Sequence, residues 1–383
     1  MDATAALYIH IPFCVRKCRY CAFTSWDDAP LGTDEYAALL LREMGLRAGV
    51  LAHPLGAATL YLGGGTPSLL EPRLVGSIID GAERLFRLHP AAEVTLEANP
   101  GTVTAASLAG YRAAGVNRLS LGVQSLDDGM LERLGRLHTA RQAREAFALA
   151  RRAGFDNIGI DLIHGLPGQD LSHWREQLRA AVELRPDHIS AYGLTVEEGT
   201  PLARLEEEGV LALPDEEDAA AMFEETAEIL APAGYEQYEI ANFALPGRRS
   251  RHNQVYWQRG NYLGFGAGAH SFLREPFPGL RWRSPDDLGA YGSSLAAGTV
   301  PEIDRTPLAV GDARAEWLFL GLRMLDGVEE ERFREEFGVP LAEIHGPALE
   351  GLLAAGLLVR EGGRLRLSRR GVILSNRVFG AFL

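Results

Sequence analysis

The sequence predicts an α/β protein: a partial (β/α)6 barrel, an irregular extension and a small C-terminal helical, winged-helix-like domain. Three observations carry this. Short, almost continuously apolar runs alternate with helical stretches about six times before residue 213, the pattern of a parallel sheet with helices outside it. Glycine-rich and polar residues recur just after those runs, where parallel α/β folds bind ligands. The rhythm then stops, and a tail of helices and a Gly-Gly hairpin closes the chain. Six units suit a partial barrel better than a closed eight-unit one, although an open doubly wound sheet remains compatible with the rhythm. The expected units are residues 1–213, 214–300 and 301–383.

Residues 7–11 form the first apolar run and lead into three cysteines. Thr33-Asp34-Glu35 opens a helix to about residue 51, with Thr33 or Asp34 as its N-cap. Residues 59–62 are a buried-type strand followed by Gly63-Gly64-Gly65-Thr66-Pro67-Ser68, and a helix covers 72–88. The strand at 93–97 ends at Asn99-Pro100-Gly101-Thr102. Helix 104–114, strand 117–125 and helix 140–153 follow. The strand at 157–163 leads into His164-Gly165-Leu166-Pro167-Gly168-Gln169, then helix 171–184 and strand 188–192. Residues 215–230 read as an acidic amphipathic helix with a solvated outer face, and 235–243 as a further strand. Residues 246–298 are rich in Gly, Pro, Arg and aromatics with little periodicity. They hold Arg251-His252-Asn253-Gln254-Val255-Tyr256-Trp257 and Gly264-Phe265-Gly266-Ala267-Gly268-Ala269-His270. A long aperiodic stretch with this many aromatics is functional rather than disordered. Helices near 312–324, 329–337 and 341–355 precede two short strands around Gly362-Gly363, a hairpin signal.

Composition narrows the function. The chain has 383 residues, 46% of them hydrophobic, and a formal net charge of −13, which argues against a general nucleic-acid binder. No apolar run is long enough to span a bilayer, and no leader pattern precedes residue 7. The expectation is a cytoplasmic protein; peripheral membrane association is compatible with the sequence, and oligomeric state is not legible in it.

All 3 cysteines lie together, as Cys14, Cys18 and Cys21. A zinc site closes with four protein ligands and a ferredoxin-type cluster takes four cysteines. Three thiolates on a four-iron cube leave one iron open to another ligand. The polar positions after the other strands, Gly63–Thr66, Glu97, Gln124, Asp161 and Thr195, are candidates for one shared pocket around it.

The CxxxCxxC spacing after a first strand, with Gly-Gly-Gly-Thr-Pro after the second, resembles the radical S-adenosylmethionine (SAM) superfamily. In that family a [4Fe–4S] cluster binds SAM through its open iron and cleaves it to a 5′-deoxyadenosyl radical. Further stretches narrow the likeness: Glu97-Ala98-Asn99-Pro100, the strand 118–125, Gly135-Arg136-Leu137-His138, 161–169, and 367–376. These resemble the HemN/HemW branch, which holds oxygen-independent coproporphyrinogen III oxidases and heme chaperones, and the resemblance covers nearly the whole chain. It implies that Tyr8, the backbone at Tyr20, Gly64, Gly65, Thr66, Glu97, Gln124, Arg136, Asp161 and Thr195 hold SAM. Thr195 matches by position and not by identity. Arg136 would suit the SAM carboxylate, and Glu97 and Asp161 its ribose hydroxyls or ammonium.

Three features favour the chaperone side of the branch. Oxidases resemble CxxxCxxCxC, but here Phe23 stands two residues after Cys21. Oxidases also carry a substantial segment before the motif region, against six residues ahead of Leu7 here. His252-Asn253-Gln254-Val255-Tyr256-Trp257 fits the HNxxYW signature of the chaperones. His252 is the implied candidate ligand for heme iron, with Tyr256 and Trp257 as flat walls for a porphyrin. The resemblance therefore implies heme, a [4Fe–4S] cluster and SAM as cofactors, and heme-accepting proteins, respiratory ones among them, as partners. The alternative function is oxidative decarboxylation of coproporphyrinogen III.

Overall fold

The computed structural model describes residues 4–383. Six parallel strands form its centre: β1 (Thr4–Ile11), β2 (Gly56–Gly64), β3 (Leu88–Ala98), β4 (Arg118–Gln124), β5 (Ile158–His164) and β6 (His188–Gly193), hydrogen-bonded in sequence order. Between them run α1 (Thr33–Val50), α2 (Pro72–Phe86), α3 (Ala105–Ala113), α4 (Asp128–Leu134), α5 (Ala140–Arg152) and α6 (Leu171–Leu184). All but α4 form where expected because apolar residues recur at helical spacing. Thr104 and Thr139 close capping boxes that start α3 and α5, and Asp170 caps α6. The first helix differs from expectation. Gly32 is its N-cap and no side chain caps it, because Thr33, Asp34 and Glu35 already lie in the first turn. The acidic pair there still meets the positive end of the helix dipole.

After β6 come α7 (Pro201–Glu207), α8 (Glu216–Leu230), β7 (Glu236–Gln237) and β8 (Asn242–Ala244). The expected single strand at 235–243 is thus two short ones, and β8 runs antiparallel to β6 at that edge of the sheet. The extension then supplies α9 (Arg251–Trp257), β9 (Tyr262–Phe265), β10 (His270–Leu273), β11 (Leu280–Arg283), α10 (Leu288–Ala296) and β12 (Ile303–Pro307). β9 lies parallel to β1 on the side away from β2, and β10 to β12 continue antiparallel. The result is one 12-stranded sheet ending in β12 and β7, so the barrel stays open. The stretch that looks irregular in sequence is therefore built from short pieces. Strands of four or five residues are too short to show alternation.

One apolar cluster runs from Ala5 to Leu295 and includes Leu263, Phe265 and Trp282 from the extension. A second gathers Ala313 to Phe382. It is built by α11 (Val310–Gly321), β13 (Val328–Glu329), α12 (Glu330–Phe337), α13 (Leu341–Ala354), β14 (Leu358–Glu361), β15 (Arg364–Leu367), α14 (Arg369–Ile373) and α15 (Ser375–Gly380). The β14–β15 turn has Gly362 and Gly363 at φ 58° and 74°, the two positive angles a tight hairpin needs. The boundary expected at residue 301 falls just before β12, which belongs to the large sheet. Among the described residues no helix is long and apolar enough to cross a membrane.

Candidate functional site

The cysteine loop is pinned from four sides. Cys14 N–H donates to the Trp26 carbonyl (2.9 Å), and Trp26 N–H donates to that of Pro12 (2.8 Å). Arg19 N–H donates to Leu134 O at the end of α4 (3.1 Å), and Arg16 Nη2 to Gly135 O (2.9 Å). From the other side, Leu202 N–H at the start of α7 donates to Arg19 O (3.0 Å). Neither short helix is anticipated above, yet both hold the loop. Their signals were the caps: Asp127 and Gly135 flank α4, and Thr200-Pro201 opens α7.

All three thiols are free and half-buried. Thr66 Oγ1 donates toward Cys14 Sγ (3.8 Å) and Arg136 Nη1 toward Cys18 Sγ (3.5 Å). Burial pushes the Cys21 thiol up, and the neighbouring Cys18 and Cys14 add to it, so a metal must displace its proton. Among the described residues no three His, Cys, Asp or Glu side chains converge as the ligand set of a single metal ion. Three soft, unpaired thiols with a cation and a hydroxyl aimed at their sulfurs fit an iron–sulfur cluster as a donor set.

The strand ends deliver a cradle beside this loop. Along β1 to β5, Tyr8, Tyr61, Glu97, Gln124 and Asp161 are half-buried, while most of the residues around them on those strands are fully buried. They mark the concave face of the sheet. Gly65 N–H donates to Ile11 O (2.8 Å), which brings the β2 turn against the end of β1. A Cβ on Gly65 would sit 2.7 Å from the Phe13 carbonyl oxygen, and Gly64 has φ 112°. Only glycine fits either place.

Glu97 accepts from Tyr61 Oη (2.8 Å) and from Gly64 N–H (3.1 Å). Burial raises its carboxyl to about 7, with the Asp161 charge contributing. Asp161, raised chiefly by burial, accepts from Ser120 Oγ (3.2 Å). Gln124 closes β4 at φ 65°, beside a break in the β4–β5 register. A non-glycine residue in that region is strained and is commonest at functional sites. Arg136 Nη2 donates to Gly122 O (2.6 Å), and its buried Nε has no partner. Its two Nη atoms thus reach Cys18 and Gly122, and the Nε donor is left for a ligand. Tyr20 packs against Met130, Leu134, Ile163 and Leu166. Thr195 is exposed in the loop after β6.

Arg118 is the central residue not singled out in sequence. It is 2% exposed at the start of β4, and its Nε has no partner. Its charge acts on Glu97, Asp161 and His252 alike. An arginine inside an otherwise apolar strand is the signal that could have found it.

His252 is not presented to a ligand. It is 1% exposed on α9. Its Nδ1 lies 2.8 Å from Thr59 Oγ1 and its Nε2 2.8 Å from Tyr256 Oη. Its ring stacks on Tyr61 at 4.9 Å, and its backbone N–H donates to Glu93 (2.9 Å). Burial, then the Arg118 charge, lowers its pKa to about 3. Tyr256 and Trp257, in contrast, line a cleft of about 490 Å3 together with Tyr8, Phe23, Tyr262 and Phe272. The HNxxYW segment thus divides: its aromatics face the cleft and its histidine stands behind them.

An open barrel with a three-cysteine loop at the strand ends defines the radical SAM architecture. Residues 8–181 match the Radical SAM superfamily, and residues 310–374 match the HemN C-terminal domain. The chain is 37% identical to the heme chaperone HemW of Bacillus subtilis, over 98% of each chain. It is 38% identical to the bovine mitochondrial radical S-adenosyl methionine domain-containing protein 1, over 96% of this chain and 85% of that one. The structure of Escherichia coli coproporphyrinogen III oxidase (HemN) superposes with a TM-score of 0.84 at 22% identity, covering 100% of this chain and 90% of that one, which shows a shared fold. The chain belongs to the HemN/HemW branch of the radical SAM superfamily, and within it groups with the HemW heme chaperones. Membership in the superfamily implies a [4Fe–4S] cluster and SAM.

Proposed function

We propose that this chain binds heme and hands it to heme-accepting proteins, with Cys14, Cys18 and Cys21 carrying the cluster and the strand-end cradle holding SAM. The observation that carries this reading is the aromatic cleft opening beside the cysteine loop, where Phe23, 65% exposed, stands two residues after the last cysteine. A flat apolar ligand needs such walls, and Phe23 adds one more ring at their rim. The names of the relatives point the same way.

The cluster, when bound, supplies an open iron and an electron. The residues supply the rest. Thr66 and Arg136 orient toward the sulfurs. The Gly63–Thr66 backbone lets a ligand approach closely, and Glu97 and Asp161 offer acceptors on the concave face. Tyr61 and Gly64 hold the Glu97 carboxyl in place, and Arg118 balances the two carboxylates.

Heme titration of the anaerobically reconstituted protein tests this. One saturable heme per chain, with its own absorption band, is expected. Absence of a saturable band removes the proposal. Conversion of coproporphyrinogen III to protoporphyrinogen IX by the same sample would replace it with the oxidase.

A further inference from the structure

Three histidines stand in or behind the cleft, and only one is free to bind a metal. His10 donates from Nε2 to Thr24 O (2.7 Å) and accepts from Tyr8 Oη at Nδ1 (3.2 Å). His252 has both ring nitrogens engaged, as above. His270 is exposed on the cleft wall, and no hydrogen bond acts on its ring among the described residues.

The turn that delivers His270 is built for it. Gly266 N–H donates to the buried Glu43 carboxyl (2.8 Å), and Ala267 N–H to Tyr36 Oη (3.0 Å). Gly266 has φ 101°, and a Cβ there would lie 2.7 Å from the His10 carbonyl oxygen. A Cβ on Gly268 would lie 3.0 Å from Thr24 Oγ1. The glycines therefore seat the turn directly against residues 10 and 24, on either side of the cysteine loop. Strand alternation then places His270 and Phe272 on one face of β10, and cross-strand pairing sets Phe272 between Tyr262 and Arg281. Arg281 stacks over the Phe272 ring at 5.4 Å, is half-buried, lines the cleft and pairs with Glu316 through Nη2 (3.0 Å).

We infer that the cleft takes an iron tetrapyrrole whose iron is bound by His270, with Arg281 meeting a carboxylate on its edge. This rests on the heme reading above and assigns its ligand. A neutral imidazole is the common protein ligand for heme iron, aromatic walls suit the macrocycle, and a stacked guanidinium suits an anionic substituent. His252 then acts as a positioning residue that holds Tyr256 in the wall.

The test is ferric heme titrated into the reconstituted full chain, followed by absorption and electron paramagnetic resonance. Wild type is compared with His270→Ala, His270→Cys, Arg281→Gln and His252→Ala. His270→Ala is expected to weaken heme binding roughly tenfold or more, the scale of one lost strong contact. His270→Cys is expected to change the band to that of a thiolate-bound iron, which only a coordinating position can do. His252→Ala is expected to keep the wild-type ligand signature, and Arg281→Gln to weaken binding without changing it. A wild type that takes heme while His270→Ala and His270→Cys leave its spectrum unchanged overturns the assignment and leaves the proposed function standing. A wild type with no saturable heme overturns both. Circular dichroism of the exposed-site variants separates loss of ligand from loss of fold.

Discussion

The Nε2 atom of His252 and the hydroxyl of Tyr256 lie 2.8 Å apart, and this contact divides the HNxxYW segment into a wall and its support. Removing the histidine strands the buried Thr59 hydroxyl and the half-buried Tyr256 hydroxyl, and takes the stacked ring from Tyr61. His252→Ala is expected to cost about 2–3 kcal/mol of stability, the scale of unpaired buried polar groups plus a lost ring contact. Urea denaturation of the cluster-free protein measures it. A loss below about 0.5 kcal/mol would mean that the ring is not held as described.

Gly65→Ala places a methyl group against the Phe13 and Ile11 carbonyl oxygens, which are backbone and cannot swing aside. The β2 turn must move away from the cysteine loop. SAM binding, followed by calorimetry, is expected to weaken roughly tenfold or more, about 1.4 kcal/mol. Unchanged affinity would place SAM away from this turn.

Arg136 brings a positive charge to 3.5 Å from Cys18 Sγ. Arg136→Gln is expected to make a bound cluster harder to reduce, by about 50 mV, as one charged contact of ~1 kcal/mol is lost. Redox titration reads the shift. A move to higher potential would contradict the orientation of the guanidinium.

His164 is buried against Trp174 and Phe223, and neither ring nitrogen has a partner. Burial lowers its pKa to about 4 from the ordinary 6.5. Below pH 6.5 the unfolded chain takes a proton that the folded chain refuses until about pH 4, so stability falls as pH drops through that window. The raised Glu97 and Glu43 carboxyls act in the opposite sense between their ordinary range and about 7, and partly mask this in the wild type. Comparison with His164→Phe isolates it. The variant is expected to gain on wild type by about 3 kcal/mol between pH 7 and pH 4. Parallel pH curves for the two proteins would count against the burial of a neutral ring.

The β/α rhythm was legible because most of its strands and helices are long enough to show their period, and the helix starts read at 104, 140 and 171 fall within a residue of those observed. The cysteine loop, the glycine turn and the acidic residues at strand ends were legible because chemistry at a strand end needs particular residue types. Thr195, matched by position alone, is exposed in the loop after β6. α4 and α7 were missed because seven residues make two turns, too few for a pattern. β9 to β12 were missed because their partners are far away in sequence or lie across tight turns. The environment of His252 was not legible either. Its partners Thr59, Tyr61 and Glu93 come from β2 and β3, more than 150 residues earlier. A motif names a histidine, but only tertiary packing decides whether its nitrogens are free.

The central claim is that this chain carries heme and gives it up. It is tested most directly by loading the reconstituted protein with one heme and mixing it with a heme-free respiratory hemoprotein, both followed by absorption, with and without SAM. The account predicts that the donor band falls as the acceptor band rises, and that no protoporphyrinogen IX forms from coproporphyrinogen III in the same sample. Heme that stays on the donor, or a porphyrinogen product without transfer, would contradict it.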